Sequence, residues 1–198
     1  IMRGTLMPST EALSVFWATV LAILFMPFHR RLMMATGGRA SLSSLIALWE
    51  LAAQQIGDDS FGLTAAQAEP LGVVSVIDLA MRSSSHLGAS WRHGVRFANL
   101  AIDRAGPRLD DGGDPVFLRF RPPVRDDLVP RHAVEFSLAS YLVFGRRATG
   151  ERIVPRAVRF RHGRPRDVSA HDRLFGVSVS FGQACSEIEL DPAVLRLP

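Results

Sequence analysis

Three groups of side chains in this chain of 198 residues have the types and spacing for chemistry. In the first, Arg92, Arg96 and Asn99 each lie one residue on from an apolar stripe of Leu87, Trp91, Val95, Ala98 and Ile102, which recurs at helical spacing. They form either the solvated border of that stripe or polar groups at the mouth of a pocket. In the second, Arg119, Arg121, Arg159 and Arg161 alternate with apolar residues in two predicted strands. If those strands pair, the four project from one face, where guanidinium groups can grip phosphates through paired hydrogen bonds. The simpler reading is arginine alternating on a solvated face. The third group is His132 and Glu135, three apart on a predicted helix. A metal ion needs further ligands of this kind from other elements, and no Cys-x-x-Cys pair or zinc ligand set appears, so no metal and no cofactor is expected.

The motifs of catalysis are missing. Gly88-Ala89-Ser90-Trp91-Arg92 lacks the second glycine of a nucleophile elbow, and there is no phosphate-binding loop and no dinucleotide-binding glycine pattern. The carboxylates fall mostly in predicted turns and caps, where they satisfy backbone amides. An enzyme is therefore not expected, and a small-molecule enzyme is the remote alternative. Cys185 is the single cysteine, which rules out an intrachain disulfide and suits a reducing cytoplasm. All 23 basic residues are arginine, and the formal charge of +4 is too small to point to nucleic acid.

The elements that must position these residues read as helices first and strands later. Residues 11–28 form the most apolar run, slightly short of the ~20 residues of a membrane-spanning helix. A buried helix ended by Pro27 is preferred to an anchor or a signal peptide, so no membrane partner is expected. Gly37-Gly38 punctuates the chain, which gives an N-terminal apolar helix and linker over 1–40 and one compact unit over 41–198. Ser41 caps a predicted helix with Leu45, Leu48, Trp49, Ala52 and Ile56 on its apolar side, ending at Gly57. A short helix over 73–82 follows, then the stripe of Leu87 to Ile102, with Ser84 or Ser85 as its cap. From there the period becomes 2. Val116, Leu118 and Phe120 mark a strand, paired in a hairpin with 108–110. A long apolar helix with Pro130 in its first turn and Asp126 or Asp127 as its cap comes next. Strands over 157–161, through Val177, Val179 and Phe181, and at Ile188 and Leu190 enclose a short helix over 170–174. The class is α+β: N-terminal helices, then a mostly antiparallel sheet with helices packed on it.

Several stretches carry a family resemblance. Phe61-Gly62-Leu63, Leu71-Gly72-Val73-Val74, Ser83-Ser84-Ser85-His86-Leu87-Gly88, the helix from Pro130 to Ser140, and Arg156-Ala157-Val158-Arg159-Phe160-Arg161-His162 occur in order. Phe175-Gly176 and Phe181-Gly182 follow, with Ser178 where a proline is usual and Ser186 where asparagine is. Over 42–195 the chain resembles the effector domain that precedes the DNA-binding domain in one branch of AraC-type bacterial transcription regulators. The resemblance implies a ligand-sensing and dimerisation domain that binds a small-molecule effector in the cytoplasm. It also implies that DNA is reached only through a C-terminal helix-turn-helix domain absent from this chain.

On that reading the effector lies between the helix of Trp91 to Phe97, the helix of Glu135 to Tyr141, and the sheet. Trp91, Phe97, Phe136 and Tyr141 are its apolar walls, while Arg92 lies at the mouth and Arg96 and Glu135 orient polar groups. Arg96 beside an apolar pocket favours a partly apolar anion over a neutral sugar. The two apolar helices present more surface than one sheet covers, which predicts a homodimer. The alternative from a different class is a cyclic-dinucleotide or other nucleotide-signal receptor using Arg119, Arg121, Arg159 and Arg161. Asp167-Val168-Ser169 is similar to part of such a motif, with Asp172 where its glycine belongs.

Overall fold

A computed structural model describes residues 42–68, 76–101, 106–122 and 129–198. The apolar run 11–28, Gly37-Gly38, Ser41, residues 71–74 and the caps expected at Asp126 or Asp127 lie outside them.

Among the described residues five strands form one sheet, β1 (Gly106–Asp110), β2 (Val116–Arg121), β3 (Ala157–Arg159), β4 (Val179–Ser180) and β5 (Glu187–Leu190), in the order β1-β2-β5-β3-β4. Every neighbour pair is antiparallel except β3 and β4, which run parallel. Because side chains alternate across a strand, one register makes two opposite faces. Leu109, Leu118, Ile188, Val158 and Val179 line up across all five strands. The last four of these are buried. The adjacent row, on the other face, is Arg108, Arg119, Glu187, Arg159 and Ser180.

Among the described residues six α-helices accompany the sheet: α1 (Leu42–Ile56), α2 (Phe61–Ala68), α3 (Val76–Arg82), α4 (Leu87–Ala101), α5 (Arg131–Thr149) and α6 (Ser169–Phe175). The long helix α5 buries Val134, Leu138, Ala139 and Leu142 in the core shared with the apolar row of the sheet. Its end is pinned by Arg146, which donates to Ile153 O from Nε at 2.8 Å and to Leu174 O from Nη1 at 2.6 Å. Trp91 of α4 is fully buried, with its ring edge-on to Tyr141 at 6.3 Å. A second, smaller core joins Trp49, Ala52, Phe61 and Ala65, with Phe136 of α5 against it.

The structure revises four sequence readings. Residues 61–68, where no element was predicted, form helix α2, because Asp58 holds its start by accepting from Ser60 N at 2.7 Å and from Thr64 Oγ1 at 2.8 Å. Gly106 and Pro107 join the predicted segment 108–110 in β1. Pro130 stands at the N-cap of α5 and not inside its first turn. Ser84, expected to cap α4, closes α3 instead, donating from its hydroxyl to Ala80 O at 2.9 Å. Among the described residues no helix is long and apolar enough to cross a membrane.

Candidate functional site

Helix α5 opens Pro130-Arg131-His132-Ala133-Val134-Glu135, and the three-residue spacing sets His132 and Glu135 on one face. That face looks inward. Glu135 is completely buried, and three histidines from different elements converge on its carboxylate. His171 of α6, also fully buried, places Nε2 at 2.8 Å from Oε1. Since a carboxylate only accepts, that nitrogen carries its proton. His162 places Nε2 3.3 Å from the same oxygen, and His132 Nδ1 lies 3.5 Å from Oε2, the far edge of hydrogen bonding.

Burial alone would push the Glu135 carboxyl upward, but the histidines gathered around it, His132, His171 and His162, outweigh it and hold it at about 2. His162 moves below its ordinary value of 6.5, chiefly because it is buried. Its Nδ1 lies 3.0 Å from the carbonyl of Gly163, an acceptor, so Nδ1 bears a proton and Nε2 faces Glu135. Its ring packs on Phe160 at 5.0 Å and Phe181 at 5.5 Å. Among the described residues no group of three or more His, Cys, Asp or Glu has the arrangement to hold a metal ion, and the cluster is a hydrogen-bonded one.

Beside His162 a cleft of about 750 Å³ opens between the end of the sheet and the start of α5. Its wall is formed by Phe120, Arg121 and Pro122 where β2 leaves the sheet, and by Cys185 and Ser186 ahead of β5. Arg161 and His162 enter from the end of β3, and Val129, Arg131 and Val134 from the start of α5. Arg108, Asp110 and Arg119 complete it. Ser186 fastens three strands at this point: its Oγ accepts from Arg161 N at 3.0 Å and its carbonyl from Phe120 N at 2.9 Å. The size falls in the range of small-molecule sites, roughly 300–1,000 Å³.

The residues expected around an effector are distributed differently. None of Trp91, Arg92, Arg96, Phe97, Glu135, Phe136 and Tyr141 lines this cleft. Trp91 and Tyr141 meet each other inside the core. Arg92 is exposed and paired with Asp111 at 2.6 Å, Arg96 is exposed, and Phe97 is half-buried. Phe136 packs on Trp49 with ring centres 5.2 Å apart. Glu135 comes nearest, because its partner His162 borders the cleft.

Of the four strand arginines, Arg119, Arg121 and Arg161 line the cleft. β2 and β3 do not pair directly, however, since β5 runs between them. Its Glu187 accepts from Arg119 at 2.7 Å and from Arg159 at 2.9 Å, and Glu189 also binds Arg159. The row of arginines is thus an alternating ion-pair ladder, which leaves less positive charge for a phosphate than the sequence suggested. Within the ladder Phe117 lies 4.1 Å beneath the Arg119 guanidinium.

An α+β domain with its sheet covered by helices on one side and an arginine-rich cleft at one end is the architecture of these residues. Comparison supplies the class. Residues 29–198 match the family described as the arabinose-binding domain of AraC transcription regulators, N-terminal, and the chain belongs to that family of ligand-sensing regulatory domains. Among solved structures it is similar to the transcriptional regulator CdpR from Pseudomonas aeruginosa, at a TM-score of 0.55 and 20% sequence identity. The alignment covers 98% of this chain and 58% of that one, and at this identity the likeness is one of fold. No curated protein matches the chain.

Proposed function

We propose that this domain is the effector sensor of an AraC-type transcription regulator and that it receives a small, partly apolar effector in the cleft beside His162. The observation that supports this reading is the cleft itself, which joins the first turn of α5 to the ends of β2, β3 and β5. A molecule touching both sides favours one spacing of helix and sheet over another, and only such a preference can transmit a signal. The domain acts by binding and not by catalysis. It works in the cytoplasm, as a homodimer, on a DNA-binding helix-turn-helix domain elsewhere in the regulator.

Two measurements test the reading. Hydrogen exchange with a ligand found by screening should show protection over 120–122, 131–134 and 161–162. Protection confined to α4, around Arg96, would return the site to the α4–α5 interface and refute the cleft. Light scattering of the full chain should give twice the monomer mass at tens of micromolar, and a concentration-independent monomer would rule out the dimer.

A further inference from the structure

We infer that the cleft takes a small organic anion with an apolar body, its charge held by Arg121, and that its binding draws a proton from solvent onto His162. The inference rests on the cleft being the effector site.

Five arginines line the cleft, Arg108, Arg119, Arg121, Arg131 and Arg161, against one carboxylate, Asp110. Much of this charge is committed. Arg108 and Arg119 share Asp110, Arg119 also binds Glu187, and Arg131 is paired with Asp59. Arg121 differs. It ends β2 on the exposed side and makes no ion pair among the described residues. Arg161, which has an interaction of its own, sits across the cleft from it, with its backbone N–H fixed by Ser186. A neutral sugar offers hydroxyls, which leave guanidinium charge unmet, whereas a carboxylate or phosphate meets it with short, paired, charge-assisted hydrogen bonds. Phe120, Pro122, Val129 and Val134 supply the wall for an apolar body.

His162 connects that charge to the core. With its Nδ1 proton given to Gly163 O, the neutral ring turns an unprotonated Nε2 toward Oε1 of ionised Glu135, two acceptors 3.3 Å apart. One proton from solvent on Nε2 converts that opposition into an ion pair, and no other bond need change. Burial opposes the proton first, and then the charges of Arg131 and His171. The charged and titratable groups facing His162 are Glu135 and Arg131 from α5, His171 from α6, and Arg161 beside it. Across the cleft stand Arg121 of β2 and Cys185, whose thiol is pushed up by burial and stays neutral. An anion lodged among these arginines cancels their field and adds negative charge next to the imidazole. Both changes favour the proton.

The test uses the full chain with cyclohexanecarboxylate, its neutral amide, inorganic phosphate and L-arabinose, read by calorimetry in buffers of differing ionisation enthalpy and by NMR titration of His162. The carboxylate should bind at least about tenfold more tightly than the amide or the sugar, with uptake of a fraction of a proton at neutral pH. Both anions should raise the His162 titration midpoint. Arg121→Met should weaken carboxylate binding about tenfold, and Arg96→Met should leave it unchanged. His162→Gln, which faces Glu135 with an N–H that does not titrate, should abolish the proton uptake while binding persists. If the amide or the sugar moves the cleft resonances as strongly as the acid, the anion inference is overturned and the effector cleft stands. If neither anion raises the His162 midpoint, the inference is also overturned. If none of the four ligands moves the cleft resonances at all, the cleft reading falls with it.

Discussion

Replacing Glu135 by alanine is expected to remove about 3–5 kcal/mol of folding stability at neutral pH, the usual consequence of deleting one partner of a buried charged cluster. The loss has two parts. His171 Nε2–H would keep no acceptor in a site without solvent, and the missing carboxylate would leave a void beneath three rings. Glu135→Gln should behave differently. Its amide oxygen can still accept from His171 and no void opens, so the expected loss is that of the charge alone, about 3 kcal/mol or less.

The two variants also separate in acid. Because the fold holds the Glu135 carboxyl at about 2 against an ordinary 4.5, the unfolded chain takes up the proton first as pH falls. The carboxylate's contribution is therefore complete above pH 4.5 and disappears toward pH 2, a span worth about 3 kcal/mol. His162 adds an earlier step of the same sign. Its value is depressed, so the stability it contributes is complete above 6.5 and declines below it. Chemical denaturation of the wild type from pH 7 to pH 2 should show both declines, and Glu135→Gln should lack the lower one. An alanine variant as stable as the wild type, or a glutamine variant with an unchanged acid limb, would mean that Glu135 is not the centre of the cluster.

Much of this fold was legible because its signals are local. Val116, Leu118 and Phe120 alternate with Phe117, Arg119 and Arg121, and the structure makes them the two faces of β2. Leu87 and Trp91 recur at helical spacing and are buried on α4. What depended on strand order was hidden. The sequence displays Arg119 and Arg159 in separate strands, but nothing local says that β5 inserts Glu187 between them.

The run Val177, Val179, Phe181 reads as a full strand. Left-handed Gly176 and Gly182 bracket it, and only Val179 and Ser180 pair with β3. Helix α2 was obscured by its small residues, since Gly62, Thr64, Ala65 and Ala66 show no apolar period although five of its first six residues are buried. The histidine cluster lay in between. His162 continues the inward phase of Val158 and Phe160, a period-2 signal present in the sequence. His171, 36 residues from Glu135, is joined to it only by tertiary packing.

Gly62→Ala tests that packing most directly and is expected to destabilise the domain by about 3 kcal/mol or more. A Cβ at this position would stand 2.3 Å from the carbonyl oxygen of His132 and 2.9 Å from its Cα. These are main-chain atoms of a helix, which cannot turn aside as the tip of a side chain can. Helix α2 would have to lift from α5, loosening Phe61 from the His132 ring 5.9 Å away and losing the contact from Gly62 N–H to His132 Nδ1. The disturbance would reach Glu135 through His132. The variant should therefore also flatten the acid limb of the stability curve, which a merely local clash would leave intact. Gly57→Ala is the control. It also removes a glycine, but its Cβ meets open space and only its φ of 63° is unfavourable, so about 1–2 kcal/mol is expected. Denaturation midpoints that rank Gly57→Ala below Gly62→Ala in stability, or a Gly62→Ala variant within about 1 kcal/mol of the wild type, would show that α2 does not lie against α5 at His132.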